Sequence, residues 1–114
     1  MLWTLADPRP DGLLTVEHPY FERQAPTVWD EEGTYVETDA VFERNRTHEW
    51  NHGLGEIVTA LLDARMRLTM LVEHDTVPWE ALPGMMERVD GEWRLRDRPW
   101  RLPHTYTLQA EKRG

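Results

Sequence analysis

Five consecutive residues, His48-Glu49-Trp50-Asn51-His52, carry the letters of the HExxH zinc-peptidase signature. On one helical turn, two imidazoles four residues apart converge on a zinc ion while the Glu between them activates its water. Gly55 also fits the extended pattern HExxHxxGxxH, but Val58 stands where its last His would be. The surroundings argue for coincidence. Gly53 and Gly55 weaken helix just after the motif, and Glu43-Arg44-Asn45-Arg46-Thr47 before it lack an apolar helical stripe. No metal is therefore expected, and His48 and His52 straddle a helix boundary. A minimal zinc hydrolase, with His48 and His52 as ligands and a third available from Glu73 or His74, is the less favoured alternative, because it needs a buried helix face running through the motif. Gly53-Leu54-Gly55, with acidic Glu73 about 20 residues on, likewise has the outline of a nucleotide-binding turn. Such a turn follows a strand; here polar residues precede it, so the glycines read as a tight helix entrance.

The elements that must position these residues follow from periodicity. Apolar residues at 54, 57, 58, 61 and 62 have the spacing of one buried helix face. Asn51 reads as its N-cap, Glu56 puts negative charge in the first turns, and Arg65 and Arg67 complement the C-terminal end. The run 67–74 is too short for a second helix and reads as a largely buried strand. Pro78, Pro83 and Gly84 mark a loop. A short strand at 93–95 and an alternating strand at 105–110 follow, the latter pairing antiparallel with 67–74. Upstream, 26–36 reads as a hairpin around a turn ending in Gly33, and 37–50 as a polar surface connection. The first 21 residues read as strand or irregular structure broken at Asp7-Pro8-Arg9-Pro10-Asp11-Gly12. This order is α+β, or a truncated α/β arrangement.

Composition narrows the function. A chain of 114 residues forms at most one modest core. Its 21 acidic and 13 basic residues give a net charge of −8, which excludes the clustered basic surface that binds nucleic acid. The arginines at 94, 96, 98 and 101 are diluted by Glu92 and Asp97 and read as solvated surface. Without Cys there is no disulfide, thiolate ligand or cysteine nucleophile. No apolar run approaches membrane-helix length and no secretion signal is evident, so no membrane partner and a cytoplasmic location are expected.

The stretch 46–64, RTHEWNHGLGEIVTALLDA, resembles a segment late in class I S-adenosylmethionine-dependent methyltransferases. The similarity continues through Leu68 to Asp75, the segment Pro78-Trp79-Glu80-Ala81-Leu82-Pro83, and the closing strand at Thr105 to Ala110. Upstream, His18-Pro19-Tyr20-Phe21 and Trp29 to Tyr35 look like the insertion over the substrate side of such enzymes. The resemblance covers nearly the whole chain, but only the C-terminal part of the family's pattern. His48 stands where similar sequences commonly have Tyr, and Arg65 where a Gly usually ends the helix.

The resemblance implies a single partial domain over 1–114, with 1–50 as substrate-side insertion and connection and 51–114 as the helix plus the last two strands of the sheet. It implies a small-molecule methyl acceptor contacted by Trp50, Asn51, His52, Tyr20, Phe21 and Tyr35, with His52 the candidate general base. S-adenosylmethionine is the implied cofactor, yet these 114 residues contain neither the family's Gly-rich donor loop nor the acidic residue that holds the donor ribose. The chain alone is then expected to be inactive. Its final strand is expected to keep an unpaired edge that seeks an N-terminal methyltransferase half or a second copy. The alternative from another class is a noncatalytic small-ligand or protein-interaction domain with an aromatic pocket.

Overall fold

The structure, a computed structural model, describes residues 2–30 and 46–113. In chain order a 3-10 turn at Leu2–Thr4 leads to strands β1 (Thr27–Asp30) and β2 (Arg46–Glu49). Helix α1 (Leu54–Asp63) and strand β3 (Met66–His74) come next. Then follow β4 (Met86–Val89), β5 (Glu92–Leu95), a second 3-10 turn (Pro99–Arg101) and β6 (Thr105–Lys112). The architecture is mixed α+β, built from three antiparallel two-stranded sheets: β1 with β2, β3 with β6, and β4 with β5.

Helix α1 forms where the apolar spacing predicts it, and it packs on β3. Its end is a compromise. Arg65, one residue beyond the C-cap Ala64, takes a φ of 60°, the left-handed conformation that glycine adopts without steric cost. Arg65→Gly is therefore expected to raise stability by about 1 kcal/mol, read as a higher urea midpoint with an unchanged m-value. An unchanged or lower midpoint would mean that the Arg65 side chain contributes contacts that outweigh the backbone cost.

Strands β3 and β6 run antiparallel from Met66 opposite Lys112 to His74 opposite Thr105. The register shifts between Leu68 and Met70, and Thr69 uses its hydroxyl to bond the Gln109 carbonyl at 3.3 Å. Thr107 and His74 Nε2 meet at 2.8 Å near the other end.

Two pairings differ from the sequence expectation. Strand β1 lies within the expected 26–36 hairpin, but it pairs with β2, from Thr27 opposite Glu49 to Asp30 opposite Arg46. Residues 46–49 were expected in a polar connection; they form an exposed strand whose regularity comes from backbone pairing rather than from an apolar face. The expected turn at 31–33 lies outside the described residues. Strand β4 was expected as loop. It pairs with β5 across Asp90-Gly91, with φ of 51° and 85°, the doubly left-handed geometry that closes two-residue hairpins.

The core lies away from α1 and the β3–β6 ribbon. Leu2, Leu5, Val77, Leu82, Met86 and Leu95 bury one another, with Leu14, Ala81, Met85, Trp93 and Leu102 packed against them. Thus the N-terminal segment, the 77–83 loop and the β4–β5 hairpin share one small core. No residue of α1, β3 or β6 is buried. Met70, Leu71 and Val72, consecutive and so directed to both faces of the ribbon, are 38%, 45% and 43% exposed. The radius of gyration, 16.5 Å, exceeds the ~13 Å expected for a close-packed chain of this length. No helix among the described residues is long and apolar enough to cross a membrane.

Candidate functional site

The HEWNH residues do not share a helix. His48 sits in β2 opposite Val28, while His52 lies in the turn before α1. The side chains that meet near His52 are Glu56, with Oε1 3.1 Å from Nδ1, and Glu22, with Oε2 3.7 Å from Nδ1. Donor atoms of Glu22, His52 and Glu56 all lie within 4.8 Å of one another. One imidazole and two carboxylates are donors that a divalent ion accepts. All three are exposed, however, and their mutual hydrogen bonds account for the arrangement without an ion. The bond to His52 holds the Glu56 carboxyl below its usual range, with Glu22 adding to the effect. Glu22 moves the other way, raised by its hydrogen bond and repulsion with Glu56.

Because ionised Glu56 can only accept, the His52 proton is assigned to Nδ1, which leaves the Nε2 lone pair as the acceptor. That is the orientation a general base needs.

The helix entrance is capped differently from the sequence expectation. Gly53, not Asn51, is the N-cap and has no side chain to offer. Instead the Leu54 N–H donates to the Tyr20 hydroxyl at 2.9 Å, and Asn51 Nδ2 donates to the Tyr20 carbonyl at 2.6 Å. A residue 34 positions upstream thus supplies the cap. Gly53 also suits the close approach of the Tyr20 ring, which would have to give way to a Cβ placed 3.0 Å from it. Tyr20→Phe is expected to cost about 1 kcal/mol and to speed amide exchange at Leu54 while the β3–β6 amides stay protected. Unchanged exchange at Leu54 would rule out the hydroxyl as cap.

These contacts also decide how the Gly53-Leu54-Gly55 turn can act. Its first free amide is taken by Tyr20, and Glu22 and Glu56 stand beside it. The strand before it, β2, ends at Glu49 and is half of an exposed antiparallel pair rather than part of a parallel sheet. The turn does not fit the anionic or ribose parts of a nucleotide-like cofactor.

Trp50, Asn51, His52 and Tyr20 line a common cleft of about 300 Å³ together with Trp3, Ile57, Glu73 and Tyr106. Trp50 donates its indole N–H to the Gln24 carbonyl at 3.2 Å and remains 47% exposed. Phe21 packs edge-on against Tyr20 at 5.2 Å but is 77% exposed and stays outside this cleft. Tyr35 lies outside the described residues.

A larger cleft, about 460 Å³, was not foreseen from the sequence. It opens between the N-terminal segment, β1, the 77–83 loop and the start of β6, with Trp3, Trp29, Trp79 and Tyr106 on its walls and His104 also lining it. His104 is 4% exposed. Its Nε2 accepts the Leu95 N–H at 3.2 Å, and Nδ1 lies 3.1 Å from the Leu102 carbonyl, to which it must donate. Burial is the main cause that lowers its pKa from 6.5, so the ring is neutral.

The chain matches no protein-family model, no curated protein and no solved structure.

Proposed function

We propose that the chain is the C-terminal portion, or a shortened relative, of a class I S-adenosylmethionine-dependent methyltransferase for a small-molecule acceptor. The observation that carries this reading is the uncovered unit formed by α1, β3 and β6. Its helix leads directly into β3, a long excursion follows, and β6 returns antiparallel on β3. This order is similar to the reversed hairpin with which the family's sheet ends, and so supports the reading. Strand β3 bears the apolar run of a strand covered on both faces, yet with α1 packed on it Met70, Leu71 and Val72 stay exposed, and among the described residues β6 pairs with β3 alone. Further parallel strands beside β6, and helices over the sheet, would bury these surfaces.

In this reading the donor is held by strands and loops that these residues do not supply, so the chain contributes the acceptor side. The 300 Å³ cleft binds the acceptor between Trp50 and Tyr20. His52 Nε2 takes the proton that a hydroxyl or amine loses as it is methylated, with Glu56 holding the ring. Asn51 acts as a strut, because its amide is committed to Tyr20.

The test is to read the DNA upstream of the Met1 codon in frame and express the joined product. A strand, Gly-rich loop and helix should be encoded there. The joined protein should transfer a labelled methyl group from S-adenosylmethionine, while the 114-residue chain does not. A joined product that fails to bind the donor would sink the reading. A noncatalytic ligand-binding domain would then lead, favoured by the aromatic cleft beside His104.

A further inference from the structure

We propose that the 460 Å³ cleft binds a small organic cation carrying an alkylated ammonium group. The cleft adjoins the acceptor cleft, with Trp3 and Tyr106 on the walls of both, but the inference does not rest on the methyltransferase reading.

Four aromatic side chains make the walls: Trp3, Trp29, Trp79 and Tyr106. The Trp3 and Trp79 rings stand 6.4 Å apart and inclined by 49°, and at 48% and 42% exposure both residues leave surface accessible to a ligand. Indole faces attract a cation through the ring quadrupole, most strongly when the cation sheds its water easily. An alkylated ammonium is such a cation, whereas a hydrated metal ion needs converging oxygen ligands that this wall does not provide.

Charge agrees with shape. Asp7 and Glu80 line the cleft, and among the described residues neither Lys nor Arg does. Asp7 has no ion-pair partner among the described residues. The Glu80 carboxylate is fixed by the Gly84 N–H at 3.0 Å. His104, the histidine in the lining, is locked by its two backbone partners in the neutral form and adds no repulsion. The cleft is therefore an aromatic cage with a negative rim, set in a chain of net charge −8. Its volume falls within the range of small-molecule sites, roughly 300–1,000 Å³.

The experiment is isothermal titration of the full chain with choline and, separately, with its neutral isostere 3,3-dimethylbutan-1-ol. Choline should bind saturably and about tenfold or more tightly than the isostere. Asp7→Asn, at an exposed carboxylate outside the core, should weaken choline about threefold and leave the isostere unchanged. Trp79→Leu should abolish the preference for the cation, with the circular dichroism spectrum checking that the variant folds. Equal affinity for the two ligands, or no saturable choline binding, would overturn the proposal. So would an Asp7→Asn variant that binds choline as the parent does.

Discussion

Replacing His104 with alanine is expected to destabilise the chain by about 3 kcal/mol. The side chain is buried, and its two ring nitrogens hold together β5, through the Leu95 N–H, and the segment before β6, through the Leu102 carbonyl. Alanine removes both partners and leaves a cavity against the core. An orphaned buried N–H costs about 1–3 kcal/mol and the lost volume adds to it. Among the described residues the core holds six buried apolar side chains, so a loss of this size is a large fraction of a small domain's stability. His104→Asn, whose amide can still accept and donate, should recover part of the loss. A urea midpoint lowered by less than the equivalent of about 1 kcal/mol in the alanine variant would remove His104 from this role.

The same residue sets an acid limb. Burial lowers the native pKa of His104 below 6.5, so the unfolded chain accepts a proton that the native chain resists. The sign follows directly: the contribution is complete above 6.5 and is lost as pH falls from there through the lowered native value. Protonation also places a proton on Nε2, against the Leu95 N–H. In His104→Asn the fall in stability below that point should be shallower than in the parent; parallel curves would assign the limb to other groups.

How much of this was legible depends on the range of each interaction. Helix α1, β3 and β6 announce themselves through local periodicity, and the left-handed end at Arg65 through a residue type that fits its position poorly. The β4–β5 hairpin was also written locally: Asp90-Gly91 is a two-residue hairpin turn, and a loop marked by Pro78, Pro83 and Gly84 and running to the short strand at 93–95 left it out. Strand β2 was hidden for another reason. Arg46, Thr47 and His48 are all exposed, and a strand held by backbone pairing leaves no apolar alternation to read. The N-cap was misplaced because Asn51 is the local candidate, whereas the hydroxyl that meets the Leu54 N–H comes from Tyr20. The aromatic cleft was the least legible feature, since Trp3, Trp29, Trp79 and Tyr106 converge from distant parts of the chain. Abundant tryptophan was the only local trace of it.

A single charge on the ribbon should separate a partial domain from a complete one. Leu71 is 45% exposed on β3. Leu71→Asp is therefore expected to change the stability of the isolated chain by about 1 kcal/mol or less. If partner strands or helices cover the ribbon, the same carboxylate must be buried on assembly, and association should weaken about 100-fold. Light scattering over a range of concentrations reads this directly: the parent chain should associate through its uncovered ribbon, and the variant should stay monomeric. Leu71→Ile, which keeps the apolar surface, should associate as the parent does. A parent chain that is a sharp monomer at every concentration, and equally stable with Asp at 71, would mean that the open ribbon needs no cover. The absence of buried residues on α1, β3 and β6 argues for the other outcome, because α1 packed on β3 leaves their apolar side chains at best half-buried, and nothing else among the described residues completes the cover.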